Sequence, residues 1–363
     1  MKKLGISIYP DKSTFEENKD YIERASQYGF SRIFSCLLSV DVSEKDKVVS
    51  ELREINEYAK SKGMEVILDV SPRVFKDLNI GYNDLTFFKE TGADGIRLDI
   101  GFTGAEEALM TFNKENLQIE INMSIDTHAI DTIMDYMPNT KNLVGCHNFY
   151  PHRYTGLSEE FFLKTTKKFK QYGLRTAAFV SSNEASFGPW QIMEGLPTVE
   201  ILRNLPVDVQ VKYFIQLNGL IDDVIISNCY ASDEELSVLG KLNKDYLEFT
   251  VIPSVELPEI ENKILFEELH VRRGDSNEYV IRSTQTRVKY KGHQFDIYHT
   301  PDIKKGDIII ESSDYGHYAG EVQIALKDMK NSGKSNVVGR IREAEIFLLD
   351  RLKAWQKFGF KKV

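Results

Sequence analysis

The first two-thirds of the chain repeat one pattern eight times: a short apolar, β-branched run is followed by a polar segment with apolar residues at helical spacing. The predicted strands are Gly5–Tyr9, Arg32–Leu37, Glu65–Val70, Gly95–Asp99, Gln118–Ser124, Leu143–Tyr150, Arg175–Ser181 and Asp223–Asn228. The clearest predicted helices are Phe15–Tyr28, Glu44–Lys60, Ser158–Tyr172 and Ser232–Leu242. Glycines such as Gly29, Gly63 and Gly173 follow helical segments, as is typical of helix C-termini. Eight strand–helix alternations predict an α/β protein with a closed (β/α)8 TIM barrel over residues 1–245.

The pattern changes after residue 245 to short alternating strands separated by turns. The strands predicted there are Tyr279–Arg282, Arg287–Tyr290, Phe295–Tyr298, Asp307–Glu311 and Val322–Lys327, and one helix is predicted from Arg340 to about Phe358. A length of 363 residues suits two domains. We therefore expect a small, mostly β domain over residues 246–363. Since no long linker precedes it, we expect it to pack on the barrel.

Bulk properties exclude several classes of protein. A net charge of −9 argues against nucleic-acid binding, and no apolar run approaches the roughly 20 residues of a membrane helix. The N-terminus reads as a first strand and not as a signal peptide. Cys36, Cys146 and Cys229 lack the paired spacing of a disulfide framework or zinc cluster. These features predict a soluble protein in the reducing cytoplasm.

Carboxylates at the ends of three neighbouring strands are the first candidates for chemistry. Asp69 ends one strand, Arg97 and Asp99 share a parity on the next, and Glu120 and Asn122 share one on the third. Alternate residues of a barrel strand point inward, and barrel active sites lie at the carboxyl ends of the strands. A single carboxylate at a strand end is as readily explained as an N-cap of the next helix as it is by a catalytic role. Three of concordant parity beside an inward arginine favour a catalytic site.

The sixth repeat carries a dense polar cluster between residues 147 and 158. Its candidate substrate-binding residues are His147, Asn148, Tyr150, Arg153 and Thr155. Rings, amides and a guanidinium suit sugar hydroxyls and a phosphate. The alternative for His147 is a histidine satisfied within the core. The connection 182–198 that follows the seventh strand is long enough to be a functional lid. Its aromatic residues Phe187 and Trp190 either stack on a sugar or pack locally.

The sequence lacks the residues and motifs that several other reaction classes require. The predicted strands contain no lysine for a Schiff base, and the chain has no HExxH or Gly-x-Ser-x-Gly motif, P-loop or dinucleotide fingerprint. We therefore expect neither a metal nor a cofactor. Acid/base chemistry by carboxylates remains, with ligand binding without chemistry as the alternative.

With these motifs the chain resembles the MupG family, the 6-phospho-N-acetylmuramidases, over nearly its whole length. The motifs are Gly5-Ile6-Ser7-Ile8-Tyr9, Leu68-Asp69-Val70-Ser71, Ile96-Arg97-Leu98-Asp99, His147-Asn148-Phe149-Tyr150-Pro151, Thr155-Gly156, Gly188-Pro189, Gly195-Leu196-Pro197-Thr198, Tyr315-Gly316 and Tyr318 with Gly320-Glu321. Within them Tyr9, Tyr315 and Tyr318 are further candidates for substrate contacts.

The resemblance implies a barrel followed by a cyclophilin-like β domain. It also implies cleavage of the β-1,4 bond between 6-phospho-N-acetylmuramic acid and N-acetylglucosamine during peptidoglycan recycling in the cytoplasm. Hydrolysis of this bond needs two carboxylates, for which we choose Asp69 and Asp99 and hold Glu120 in reserve. The competing hypothesis is a non-catalytic protein that binds or senses a phosphorylated sugar. A prolyl isomerase activity of the second domain is weaker, because fold resemblance does not carry activity.

Overall fold

The computed structural model of the protein describes residues 1–37 and 45–363. These residues form two compact units, Met1–Leu242 and Asn243–Val363. Glu44, the predicted start of the second helix, lies outside the described residues.

The first unit is a closed, eight-stranded parallel barrel, which confirms the predicted fold class. Its strands are β1 (Lys3–Ile8), β2 (Arg32–Leu37), β3 (Glu65–Val70), β4 (Gly95–Leu98), β5 (Gln118–Asn122), β6 (Leu143–Cys146), β7 (Arg175–Val180) and β8 (Asp223–Ile226). The strands pair in chain order, and β1 closes the ring by pairing with β8. The carboxyl ends of all eight strands therefore open at one mouth.

Helices follow the strands as the repeat predicts. They are α1 (Phe15–Gln27), α2 (Lys45–Ser61), α3 (Pro72–Asp77), α4 (Thr86–Glu90), α5 (Ala105–Met110), α6 (Ala129–Asp135), α7 (Glu159–Gln171), α8 (Val207–Gln216) and α9 (Asp233–Gly240). Their starts are encoded locally: Thr14 and Ser232 each form a capping box with a glutamate three residues on, at the N-termini of α1 and α9. Apolar residues on the outer faces of the strands, such as Leu68 and Ile96, are buried in the core beneath these helices.

Charged side chains fill the amino-terminal end of the barrel interior. Arg32 is fully buried and donates to the Asp223 carboxylate at 2.7 Å and to Glu120. Arg175 donates to Asp223 at 2.7 Å, and its Nη2 lies 2.7 Å from Glu65. Several of these residues are the first of their strands, so the network closes the barrel at the end opposite to the mouth. A buried charge left without its partner costs about 3–5 kcal/mol, so the network also constrains strand register.

The second unit is built on one mostly antiparallel sheet. Its elements are β9 (Leu247–Pro253), α10 (Glu259–Phe266), β10 (His270–Val271), β11 (Val280–Ser283), α11 (Gln285–Lys289), β12 (Asp307–Glu311), β13 (Val322–Ala325), β14 (Ser335–Ile341) and β15 (Lys357–Lys362). The strand order is β10-β15-β9-β14-β12-β13-β11. Two 3₁₀ segments, Ser313–Tyr318 and Glu343–Arg351, connect β12 to β13 and β14 to β15. The prediction of a mostly β second region is confirmed.

Three element predictions in this unit were wrong. The predicted helix Arg340–Phe358 is instead the end of β14, a 3₁₀ segment and the start of β15. Phe358 and Phe360, two residues apart, are both buried, which is strand spacing.

Of the predicted strand Arg287–Tyr290, the first three residues belong instead to the helical turn α11, and Tyr290 caps it. This turn contacts the loop before β13: the Thr286 hydroxyl donates to the Gly320 carbonyl at 2.7 Å, and Arg287 donates to Glu321 at 2.8 Å. Phe295–Tyr298, the third, forms no strand. Across residues 1–37 and 45–363, no helix combines the length and apolar character needed to cross a bilayer.

Candidate active site

A cavity of about 200 Å³ opens at the carboxyl ends of the barrel strands, and we call it the mouth cavity. It is lined by Cys36, Asp69, Arg97, Asp99, Asn148, Phe149, Phe179, Pro189 and Trp190. Four of the predicted site residues therefore come together: Asp69, Arg97, Asp99 and Asn148. They arrive from β3, from β4 and its end, and from the loop after β6.

One arginine organises the polar side of this cavity. Nη1 of Arg97 donates to Oδ1 of Asp69 at 2.6 Å and to Oδ1 of Asp99 at 3.3 Å. Its Nη2 donates to Oδ1 of Asn148. Arg97 and Asp69 are adjacent across the β3–β4 register, so the barrel itself sets their contact. The cavity thus presents two carboxylates on a single buried cation.

The two carboxylates differ in their surroundings. The Asp69 side chain is 10% exposed, whereas that of Asp99 is 46% exposed. Burial raises the pKa of Asp69 to about 6 although the bond from Arg97 acts in the opposite direction, and Asp99 adds to the rise. Burial alone would lower the pKa of Arg97, but the charge of Asp69 outweighs it and the pKa is raised. Arg97 therefore stays a cation while Asp69 can carry a proton close to neutral pH.

His147 lies behind this cavity, fully buried, and not on its wall. Thr166 donates its hydroxyl to the Phe162 carbonyl at 2.7 Å, so its oxygen accepts from Nε2–H of His147 at 2.8 Å. Nδ1 of His147 then accepts from the Ser124 hydroxyl at 3.1 Å, and Ser124 accepts the backbone N–H of Asn148 at 2.8 Å. Burial lowers the pKa of His147 to about 3, which keeps the ring neutral. His147 is thus a satisfied core histidine that holds the backbone of Asn148.

The remaining predicted residues of the barrel interior have structural partners. Glu120 is fully buried against Arg32 and does not line the mouth cavity. Tyr9 is 1% exposed, and its hydroxyl donates to the Ser227 carbonyl. Asn122 donates to the Asp99 carbonyl at 3.1 Å and so supports that residue from β5. Tyr150 is half-buried, and burial raises the pKa of its hydroxyl.

Arg153 and Thr155 belong to a different part of the mouth. Arg153 lines a separate cavity of about 660 Å³ at the ends of β7 and β8. Its Nε and its backbone N–H donate to the Glu194 carboxylate, at 2.7 and 3.0 Å. Arg153 lowers the pKa of Glu194 to about 2. The exposed Thr155 hydroxyl donates to the His152 carbonyl. In this structure the charge of Arg153 is already neutralised.

The second unit holds the other two candidates. The Tyr315 hydroxyl lies 2.7 Å from that of Ser332. The ring of Tyr318 has the guanidinium carbons of Arg282 and Arg287 at 5.5 Å each, within the range of cation–π attraction.

Sequence reasoning missed part of the cavity lining. Cys36 and Phe179 share the inward parity of Arg32 and Arg175 on their own strands, so the parity rule applied to apolar residues would have found them. Phe149 carried no signal beyond its place in the polar cluster. Trp190, 53% exposed, lies on the cavity wall, which favours a stacking role over local packing.

A barrel fold alone does not identify the type of enzyme, but comparison with family models identifies the family. Residues 4–241 match the model for the 6-phospho-N-acetylmuramidase N-terminal domain, and residues 247–361 match the model for its C-terminal domain. The chain belongs to the 6-phospho-N-acetylmuramidase family. It is therefore a glycosidase, as the resemblance implied, and a phosphorylated muramic-acid sugar is the class of substrate that the family name gives.

Solved structures carry the same two-part architecture. An uncharacterized protein of B. cereus is 48% identical, with a TM-score of 0.91, over 99% of this chain and 100% of that chain. A conserved protein of unknown function from Enterococcus faecalis, 24% identical, shares the fold with a TM-score of 0.70, over 99% of this chain and 96% of that chain. No curated protein sequence matches this chain.

The described part of the chain contains no cluster of side chains suited to bind a metal ion. Over residues 1–37 and 45–363, no three His, Cys, Asp or Glu side chains are grouped as ligands. The mouth cavity of this 6-phospho-N-acetylmuramidase family member offers carboxylates, a guanidinium, an amide and aromatic rings.

Proposed function

We propose that the protein hydrolyses the β-1,4 bond between 6-phospho-N-acetylmuramic acid and N-acetylglucosamine, using Asp69 and Asp99, in the recycling of peptidoglycan. The observation that carries this proposal is the pair of carboxylates on Arg97 at the barrel mouth. A glycosidase needs one protonated and one ionised carboxyl group beside the scissile bond. The family supplies the class of sugar.

The environments of the two aspartates support a division of roles. Buried Asp69, with its pKa raised to about 6, is the general acid that protonates the leaving oxygen. Asp99, closer to solvent and held by Arg97 and Asn122, is the second carboxylate, which attacks or stabilises the anomeric carbon. Glu120 has no part in this scheme, because its carboxylate is engaged by Arg32.

Their separation favours a retaining reaction. Since both Oδ1 atoms bond the same nitrogen of Arg97, at 2.6 and 3.3 Å, they lie at most about 6 Å apart. This bound on the two oxygen atoms lies below the ~6.5–9.5 Å of inverting glycosidases, so we propose the retaining reaction, with its separation of ~5–5.5 Å. Asp99 is then the nucleophile, and azide added to an Asp99→Ala variant should be recovered as a glycosyl azide.

The other substrate contacts remain predictions. Asn148 and Tyr150 suit sugar hydroxyls, Trp190 suits a sugar face, and Arg153 with Thr155 suits the 6-phosphate. Tyr315 and Tyr318 of the cyclophilin-like domain are candidates for further contacts. A cytoplasmic location fits the free thiols of Cys36, Cys146 and Cys229, since a reducing compartment keeps such thiols unpaired.

Incubation of the full chain with the 6-phospho-muramyl disaccharide tests the proposal. We expect release of free N-acetylglucosamine, lost in Asp69→Asn and Asp99→Asn. Binding of the disaccharide without release of either sugar would instead support the non-catalytic hypothesis.

A further inference from the structure

A second cavity, of about 310 Å³, adjoins the mouth cavity between the loops that follow β4 and β5, and we call it the side pocket. Asp99 lines both cavities. The side pocket continues along the loop 100–104 and is closed by residues of α6. None of its other lining residues takes part in the mouth cavity, so it is a distinct space that meets the mouth cavity at Asp99.

The walls of the side pocket are largely hydrocarbon. Leu98, Ile121 and Ile133 line it and are at most 5% exposed. Three further lining residues, Ile100, Phe102 and Ile125, are 64, 39 and 53% exposed. Single exposed apolar side chains are ordinary, but a group of three around one cavity marks a binding surface.

The polar side chains around the pocket are satisfied within the loops. Glu107 accepts the backbone N–H groups of Phe102 and Gly104, the latter at 2.8 Å. The Thr132 hydroxyl donates to the His128 carbonyl at 3.0 Å, and its methyl faces Gly104 so closely that a Cβ there would lie 2.8 Å from it. The pocket therefore offers a ligand carbon surface, with polar contacts at the Asp99 edge.

We propose that the side pocket binds the N-acyl group of the amino sugar whose ring lies at Asp99. This inference rests on the proposed function. An acylamino group on the carbon next to the anomeric centre has a small apolar end, and its nitrogen lies two bonds from the reacting carbon. A pocket that is apolar and is lined by Asp99 at the border with the mouth cavity matches both properties. Its volume leaves room beyond a single methyl group, so it also accepts a propionyl chain.

The expected size of the effect follows from the contact that is lost. Removal of one small apolar group from a hydrophobic pocket lowers kcat/KM by roughly 10- to 200-fold. We expect a loss in this range when the acyl group of that sugar is replaced by a free amine. We expect no comparable loss when acetyl is replaced by propionyl.

The experiment compares disaccharides that lack one or the other acyl group, using the full chain and three variants. Ile125→Asp places a charge on the rim of the pocket, Ile125→Leu restores an apolar rim, and Leu109→Asp is the matched control. Leu109 is 58% exposed on α5 and lies outside the pocket.

Ile125→Asp should lower kcat/KM for the acylated substrate at least tenfold, Ile125→Leu should lose clearly less because the rim stays apolar, and Leu109→Asp should stay near wild type. One of the two deacylated disaccharides should be insensitive to Ile125→Asp, which identifies the sugar. Equal losses on acylated and deacylated substrates would overturn the proposal.

A binding measurement separates this inference from the proposed function. If the protein cleaves no phosphorylated disaccharide, titration with 6-phospho-N-acetylmuramic acid, N-acetylglucosamine and their free amines still tests the pocket. Tighter binding of an acylated form, abolished by Ile125→Asp, would sustain the acyl site while the hydrolysis proposal fails. Equal affinity for the acylated and free-amine form of each sugar would overturn the acyl site itself.

Discussion

Asp69 and Asp99 accept hydrogen bonds from the same nitrogen of Arg97, although only Asp69 is buried. The shared cation places two carboxylates of different burial within about 6 Å. The barrel achieves this with β3 and β4 in register, since Asp69 pairs directly with Arg97. A single strand pairing thus holds Asp69, the proposed acid, beside the cation and, two residues later, the second carboxylate.

The first prediction concerns these two aspartates. Asp69→Asn and Asp99→Asn should each lower kcat by about 10²- to 10⁴-fold, because an amide neither transfers the proton nor attacks the anomeric carbon. The melting temperature of Asp99→Asn should change little, since Asp99 is half exposed and the amide keeps its shape. Asp69→Asn also weakens a buried pair with Arg97 and should lower stability, so kcat is compared per folded molecule. Asp20→Asn, on the exposed face of α1, is the matched control. Turnover near wild type in either active-site variant removes that residue from the chemistry.

The second prediction is a pH profile. An acid whose pKa is raised to about 6 loses its proton above that pH, so kcat/KM should fall as pH rises through 6. The raised pKa of Asp69 also affects stability, because the folded state holds this proton more tightly than the unfolded chain does. The contribution of protonated Asp69 to the free energy of unfolding is therefore present at low pH and is lost as pH rises through 6.

The control for this profile is Glu311 in the second unit. Burial raises the pKa of Glu311 to about 7. Its titration lies close enough to that of Asp69 to be mistaken for the cause of the falling limb of the kcat/KM–pH profile. Glu311→Gln should leave the falling limb in place, and Asp69→Asn should remove it. A limb that disappears with Glu311 instead would contradict the assignment of Asp69 as the acid.

The third prediction separates Glu120 from catalysis. Glu120→Gln should lower the free energy of unfolding by about 3 kcal/mol, because it weakens a fully buried pair with Arg32. Denaturant titration measures this loss, and kcat per folded molecule should stay within a few-fold of wild type. A collapse of kcat with stability unchanged would return Glu120 to the role of acid.

The fourth prediction treats His147 as a positioning residue. His147→Gln keeps a donor for Thr166 and should retain much of the activity, whereas His147→Phe loses the hydrogen bonds to Thr166 and to Ser124, the residue whose hydroxyl accepts the Asn148 N–H. Since Asn148 in turn bonds Arg97, the Phe variant should shift the falling limb of the pH profile as well as lower kcat. A lower melting temperature with an unchanged limb would show that His147 only stabilises the fold.

The barrel and the core of its site could be predicted from the sequence. Eight repeats specify the closed sheet, and strand parity aims Asp69, Arg97 and Asp99 at the mouth. Strand parity does not show whether Asp69 or Glu120 lines the mouth cavity, because both side chains point into the barrel. The difference is the partner: Arg32, 88 residues away in sequence, engages Glu120. Which charges pair across a barrel depends on register and tilt, and neither is visible in a single sequence.

The same limit explains the errors in the second unit. Residues 340–358 carry apolar residues at helical spacing, yet the segment forms 3₁₀ turns fixed by distant contacts. Thr250 of β9 donates its N–H to the carboxylate of Glu345 at 2.7 Å and accepts the N–H of Arg342 at 2.9 Å. Contacts with a strand some 90 residues earlier override local propensity there.

The last prediction concerns the phosphate. Arg153 is the predicted contact, but Glu194 occupies its guanidinium with bonds to Nε and Nη2. A phosphate and the Glu194 carboxylate therefore compete for one cation. Arg153→Ala should lower kcat/KM at least tenfold for the phosphorylated disaccharide and leave the dephosphorylated form unaffected. Glu194→Gln should act in the opposite direction and lower KM for the phosphorylated form, because the competing charge is gone. Arg73→Ala, which breaks an exposed pair with Asp77 away from both cavities, is the matched control. If Arg153 and Glu194 only tie two loops together, both variants should instead raise KM equally for both substrates.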